Sequence, residues 1–161
     1  MAEEKLLVEM FTDGACSGNP GAGGFGTILR YKDSLGKYHE KELTAGYKLT
    51  TNNRMELLAV IAGLEALKKP CKVKICSDSK YFIDAFEKKW IDGWQKNNWR
   101  NSSKSPVKNV DLWKRLLIAM EPHDIELIWV KGHNGHEFNE RCDRLAVSSS
   151  KSDNLFDDKA E

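Results

Sequence analysis

The stretch from residue 52 to 79, NNRMELLAVIAGLEALKKPCKVKICSDS, decides the fold. Residues 52–69 carry apolar side chains at helical spacing, and the pattern stops before Pro70, whose ring disfavours helical backbone in the residue preceding it. Lys72–Ser77 then reads as a short strand, with another helical pattern from Ser79. Upstream, Leu6–Thr12 reads as a strand ending at Asp13-Gly14. Gly24–Tyr31 and Lys37–Tyr47 are two more, joined by a turn at 32–36. Downstream, Asn109–Glu121 is helical up to Pro122. Asp124–Lys131 is a strand in which Ile125, Leu127 and Trp129 alternate with Glu126 and Ile128, and Glu137–Val147 is the last helix. No internal repeat is present. The order of three strands, helix, strand, helices, strand, helix predicts an α/β fold, a mixed sheet with helices on both faces. The crossover from the first strand through the long helix to the fourth is expected to be parallel and right-handed.

At 161 residues the chain suits one domain with a sizeable core. An apolar content of 40% with 30% charge excludes wholesale disorder. Met1–Lys5 has no apolar core behind a basic cap, so no secretory signal is expected. No apolar run approaches the ~20 residues of a membrane span. Cys16, Cys71, Cys76 and Cys142 are scattered among core-type residues, which suits a reducing cytosol. A zinc site would need Cys71 and Cys76 to converge with His133, His136 and Cys142. That spacing straddles a strand and disfavours it. The net charge of +1 conceals a basic window from Glu87 to Lys108, which also holds Trp90, Trp94 and Trp99. From Ser148 the chain is polar and leans acidic, and a disordered tail is expected over 148–161.

Asp13 and Asp78 each follow a strand. If those strands are parallel neighbours, both acids emerge at one sheet edge, where open α/β sheets place ligands. Taken singly, Asp13-Gly14 could be only a turn and Asp78-Ser79 only a helix cap. Glu56 is sharper. On the long helix Arg54, Glu65, Lys68 and Lys69 share one arc, and Glu56 falls nearly opposite, in line with Val60, Gly63 and Leu67. A carboxylate on the sheet side needs a counter-charge; otherwise desolvation costs several kcal/mol. The plainer reading is a glutamate reaching out to water at the helix end. Asp143 sits at the margin of an apolar stripe of Phe138, Cys142, Leu145 and Ala146. Four converging acids would repel unless divalent cations with oxygen ligands sat among them. Two such ions suit in-line phosphoryl cleavage.

Gly21-Ala22-Gly23-Gly24-Phe25-Gly26 matches a dinucleotide-binding fingerprint, but a strand follows where that fingerprint requires a helix. The glycines are expected instead to let a backbone or a nucleic-acid strand come close. In Lys131-Gly132-His133-Asn134-Gly135-His136, a loop histidine could shuttle protons or could simply be a surface residue.

Together, Phe11–Cys16, Gly18–Gly21, Thr50–Glu56, Asp78-Ser79, Pro106–Trp113, Trp129–His133 and Asn139–Asp143 closely resemble the bacterial type 1 ribonuclease H family, in order from about Leu6 to Val147. The resemblance implies the ribonuclease H-like fold: a five-stranded mixed sheet, the first three strands antiparallel and the rest parallel to the first, flanked by helices. It implies a catalytic domain over 1–147 with a handle at about 86–108. It also implies hydrolysis of the RNA strand of RNA/DNA hybrids to 5′-phosphate products by a cytoplasmic monomer with no obligatory protein partner and no membrane. By the same resemblance Asp13, Glu56, Asp78 and Asp143 hold two Mg2+ ions (Mn2+ as a substitute) when substrate is bound, and His133 assists turnover. Cys16, Gly18, Asn19, Asn52 and Asn53 then touch RNA 2′-hydroxyls or base edges, the groups that separate RNA from DNA. Thr51 and Asn109 form a DNA-phosphate pocket. Trp90, Trp94, Lys96 and Trp99 belong to the handle, which supplies salt-sensitive phosphate attraction; Trp90 and Trp94 at i, i+4 also suit helix packing.

Four departures from the family pattern bear on affinity. Leu49 stands where a basic residue is usual, Lys80 where a glutamine is common in the minor-groove contact, Gln95-Lys96-Asn97 makes a weakly charged handle, and Glu137-Phe138 replaces a proline-containing pair. Two alternatives remain: a same-fold nuclease or resolvase acting on DNA, disfavoured by Asn52-Asn53, and a non-catalytic hybrid-binding protein, disfavoured by the intact acids.

Overall fold

The computed structural model describes residues 5–130 and 137–158. Its elements are β1 (Leu6–Ser17), β2 (Gly21–Lys32), β3 (Tyr38–Thr50), α1 (Asn52–Glu65), β4 (Cys71–Ser77), α2 (Lys80–Glu87), α3 (Trp90–Lys96), α4 (Val110–Met120), β5 (Asp124–Trp129), α5 (Glu137–Ser150) and β6 (Leu155–Phe156). The sheet runs β5-β4-β1-β2-β3-β6. The first three strands pair antiparallel, while β4 and β5 run parallel to β1, as the α1 crossover predicts.

Two expectations change. The sheet has six strands where five are expected, and the described part of the segment expected to be a disordered tail, 148–158, carries helix and strand. α5 continues to Ser150, and Leu155 and Phe156 then pair parallel with Gly46 and Tyr47. The polar composition of this segment conceals what fastens it. The Phe156 ring lies 5.9 Å from that of Tyr47, and Asp158 enters an ion-pair cluster described below. No helix among the described residues is long and apolar enough to cross a membrane.

Side-chain alternation along the strands divides the core in two. Val8, Met10, Phe25 and Leu29 face α1, whose Leu57, Ala59, Val60, Ile61 and Leu64 are buried against them. Phe11, Ile28 and Cys76 face the other way, against Cys142 of α5. The glycine run explains how close α5 comes. A Cβ on Gly24, Gly26 or Gly46 would collide with the carbonyl oxygen of Ala146, Cys142 or Ser149, respectively. The fingerprint-like glycines are therefore a flat seat for a helix backbone, the close approach that only a missing Cβ permits.

The Trp-rich segment expected to form the handle joins this core through indoles. Trp94 lies 6.4 Å from Trp90, 6.5 Å from Trp99 and 5.6 Å from the fully buried Trp113. Trp94 and Trp99 are half-buried, whereas Trp90 and Lys96 face solvent.

Candidate active site

The parallel ladder between β1 and β4 ends at Phe11↔Cys76. Beyond it β1 continues only with β2, pairing Asp13 with Gly26, while β4 stops at Ser77. Asp13 thus lies within a strand, not after one, at the point where the two parallel strands part. Asp78 follows Ser77 directly. Its neighbours are held on both sides, because Ser77 Oγ accepts from the Ser79 N–H at 3.0 Å and Ser79 Oγ caps α2 by accepting from the Phe82 N–H at 3.2 Å. Glu56 arrives from the first turns of α1. That helix can settle on β1 because Gly14 has no side chain: a Cβ there would lie 2.6 Å from Glu56 N and 2.8 Å from Met55 C.

One oxygen from each of Asp13, Glu56 and Asp78 lies within 4.8 Å of the others. Asp13 and Glu56 are only 3% and 6% exposed. Burial first, then the charges of Asp13 and Asp78, push the Glu56 carboxyl well above the usual carboxylate range. Its Oε2 is buried with no hydrogen-bond partner among the described residues. Three close acidic oxygens with an unsatisfied buried acceptor form a hard, all-oxygen donor set that fits a divalent cation such as Mg2+ or Mn2+. The zinc reading finds no support among the described residues. Cys71 and Cys76 belong to opposite cores, and the Cys142 thiol donates to the Phe11 carbonyl at 3.2 Å.

Glu56 gives the metal-free protein a definite pH dependence. A carboxyl whose folded pKa lies above its unfolded value of ~4.3 stabilises the fold fully below that value, and the contribution is lost as pH rises through the folded one. In EDTA, stability is therefore expected to fall with pH above ~4.3, with a limiting slope of about 1.4 kcal/mol per pH unit for one proton. His123 acts oppositely below about pH 6.5, because its ring accepts from the Cys71 N–H at 3.0 Å and burial, then Lys5, lowers its pKa. Denaturant titrations of wild type and Glu56→Gln isolate the first effect: the difference between them should vanish near pH 4 and grow with pH. A constant difference refutes it.

Asp143 is half-buried on α5 and lies outside the three-carboxylate group. It follows Cys142, whose carbonyl oxygen sits over Gly26, the cross-strand partner of Asp13. His133 lies outside the described residues.

Of the remaining expected site residues, Asn19, Thr51, Asn52, Asn53 and Asn109 lie at or beside the starts of α1 and α4. At the β1–β2 turn Gly18 has φ +81°, and Asn19 Oδ1 accepts from the Asn52 N–H at 3.2 Å, joining the turn to the start of α1. Cys16 donates its thiol to the Thr50 carbonyl at 3.4 Å, and burial raises its pKa. Thr51 caps α1, its Oγ1 accepting from the Arg54 N–H at 3.3 Å, and Asn52 and Asn53 are exposed. Asn109, with φ +61°, precedes α4 and donates Nδ2–H to Tyr81 Oη at 3.2 Å. Lys80 is exposed, its Nζ 4.6 Å from the centre of the Trp129 ring.

Sequence reasoning misplaces Arg54. The helical wheel sets it on the solvent arc, yet its side chain is only 7% exposed. Asp111 of α4 and Asp158 close over that side of α1, each within 2.8 Å of the guanidinium. Neither acid carries a signal in the sequence, because each looks like an ordinary surface residue until the chain brings it to Arg54.

The comparisons with known proteins agree with this geometry. The RNase H family model matches residues 5–151. A ribonuclease H of Lachnoclostridium phytofermentans is 58% identical over 95% of this chain and 98% of its own. One from Proteus mirabilis is 58% identical over 90% and 87%. Among solved structures, LC9-RNase H1, described as a type 1 RNase H with the type 2 active-site motif, superposes with a TM-score of 0.83 at 30% identity, covering 93% of this chain and 74% of that one. With three carboxylates meeting where β1 and β4 part, and with relatives this similar along nearly its whole length, the chain belongs to the ribonuclease H family.

Proposed function

We propose that the protein is an endonuclease that hydrolyses the RNA strand of RNA/DNA hybrids, leaving 5′-phosphate products, with two Mg2+ ions (or Mn2+) held by Asp13, Glu56, Asp78 and Asp143. The observation that carries this reading is the convergence of Asp13, Glu56 and Asp78 within 4.8 Å, with one buried oxygen unsatisfied. Bound there, divalent ions supply Lewis acidity for the attacking water and for the leaving 3′-oxygen.

The chain's own groups do the rest. Gly14 and the Ser77–Ser79 turn fix the carboxylates before substrate arrives, so little reorganisation remains at the moment of reaction. Cys16, Gly18, Asn19, Asn52 and Asn53 read the RNA strand through its 2′-hydroxyls, which DNA lacks. Thr51 Oγ1 already accepts from the Arg54 N–H, so its own O–H proton can donate to a DNA phosphate. Asn109 Nδ2 has a second proton for the same phosphate. His133 moves a proton during turnover and product release. Trp90, Trp94, Lys96 and Trp99 give the handle sequence-independent affinity that weakens with salt. Lys80, stacked on Trp129, adds a cation to the minor-groove contact, and exposed Leu49 leaves the phosphate pocket without a charge the family usually has. The protein acts as a monomer in the cytosol, a setting that suits its four free cysteines.

A side-by-side assay with magnesium tests the reading, using hybrid, RNA duplex, DNA duplex and single-stranded RNA. Cleavage should be confined to the RNA strand of the hybrid and should stop in EDTA. Faster cleavage of all-DNA duplex would replace this reading with a DNA nuclease. Tight hybrid binding without cleavage in either metal would make the protein a binder only.

A further inference from the structure

Asp158 lies 104 residues beyond Arg54, yet it is locked to it. Each of the five guanidinium protons has its own acceptor. Nε donates to Asp158 Oδ2 at 2.7 Å, and Nη2 donates to Asp158 Oδ1 at 3.0 Å and to Asp111 Oδ2 at 2.8 Å. Nη1 donates to Asp111 Oδ1 at 3.0 Å and to Asn109 Oδ1 at 3.2 Å. Asp158 Oδ2 also accepts from the Thr50 hydroxyl at 2.5 Å. Burying two carboxylates and a guanidinium contributes little general stability, because desolvation offsets much of the attraction. Such a cluster does impose one geometry, since Arg offers a rigid planar fork.

That geometry reaches two substrate groups at once. The Arg54 backbone N–H donates to Thr51 Oγ1, and its side chain donates to Asn109 Oδ1. The second contact decides which way the Asn109 amide faces. With Oδ1 turned to the guanidinium and Nδ2 turned to Tyr81, the remaining Nδ2 proton is the group left to meet a ligand. A flipped amide would present a carbonyl oxygen, which repels phosphate. Tyr81 is itself fixed, because the buried Trp113 Nε1–H donates to its Oη at 3.1 Å.

We infer that the segment after α5 is a latch: Asp158, through Arg54 and Thr50, positions Thr51 and Asn109 to bind a phosphate of the DNA strand. Asp158 is a positioning residue and touches no reacting atom. The inference rests on the reading above that Thr51 and Asn109 hold that phosphate. It assigns to the segment after α5 a part in holding substrate strands in register, 102 positions from the catalytic Glu56 by sequence number and outside the metal cluster.

The full-length protein tests it in steady-state hybrid cleavage with magnesium, at a temperature well below the melting point of every variant. Asp158→Ala should raise KM about tenfold and leave kcat within about twofold, the loss expected when a charge-assisted network stops orienting a binding group. Asp158→Asn, which keeps the size and one acceptor, should lie between that variant and wild type. In a Thr51→Ala/Asn109→Ala background Asp158→Ala should change KM less than about twofold, because both groups that it positions are already removed. A hybrid whose DNA strand carries one neutral methylphosphonate, at the position that most weakens wild type, should likewise be insensitive to Asp158→Ala.

A full effect of Asp158→Ala in that background, or an unchanged KM with only a lower melting temperature, would overturn the latch and leave a structural fastening. Hybrid cleavage by wild type with no effect of Thr51→Ala would remove the phosphate pocket, and the latch with it. Failure of wild type to prefer the hybrid would instead defeat the broader functional reading.

Discussion

Asp13→Asn is expected to lower the turnover of an RNA/DNA hybrid by about 1,000-fold or more, the scale of several kcal/mol of lost metal-borne charge stabilisation. The substitution keeps the size of the side chain but removes its charge from a cluster that places three acidic oxygens within 4.8 Å. Affinity for the hybrid, measured by equilibrium binding without metal, should hold or rise, because one negative group near the phosphates is gone. Stability in EDTA should increase, because the neighbouring Glu56 carboxyl is raised first by its burial and then by the Asp13 charge, and one source of that repulsion disappears. Added magnesium should raise the melting temperature of wild type more than that of the variant, by mass action on the folded state. A variant with turnover within about tenfold of wild type would mean that Asp13 is no part of the catalytic metal site.

Gly14→Ala is expected to be nearly as damaging, although glycine takes no part in the chemistry. Its Cβ would meet Glu56 N at 2.6 Å and Met55 C at 2.8 Å, and helix backbone cannot yield as a flexible side-chain end can. Overpacking of this kind costs typically ~1–3 kcal/mol of stability. The rest of the strain should lift the start of α1 and draw Glu56 away from Asp13 and Asp78. Misplacing a catalytic group by about 1 Å costs on the order of 100-fold in rate, so turnover should fall by about that factor even in molecules that remain folded. Urea denaturation and the kinetics of the folded fraction separate the two losses. Gly93→Ala is the control. That glycine lies in α3 with nothing within 4 Å of the place an added methyl would take, so alanine there should be neutral or stabilise by up to about 1 kcal/mol. Equal, small effects at both positions would show that Gly14 does not set the height of the helix.

Several features of the site can be read from local order along the chain. The helix beginning at Asn52 and the strand ending at Ser77 follow from periodicity and from Pro70, and a right-handed crossover between parallel strands leaves one arrangement for Asp13 and Asp78. Glu56 stands out because a charge among Val60, Gly63 and Leu67 on a sheet-facing line needs a reason. In Arg54 the same periodicity misleads. The wheel registers neighbours along one helix, and what buries this side chain comes from Asp111 on α4 and from Asp158. The glycines of β2 show the same divide. Their number announces a close approach, but α5, the helix that sits on Gly24 and Gly26, comes more than 100 residues later.

By itself, then, the order of residues determined the α/β class, the shared edge of the first and fourth strands and the acids that meet there, because these depend on short-range periodicity, turn chemistry and a handedness that every chain of L-residues obeys. Tertiary structure alone decided the sixth strand, the seat of α5 on glycine and the five-fold saturation of Arg54 by Asp158, Asp111 and Asn109. Those depend on pairings between residues far apart in the chain, and a surface acid has no local signature of the partner that will bury it.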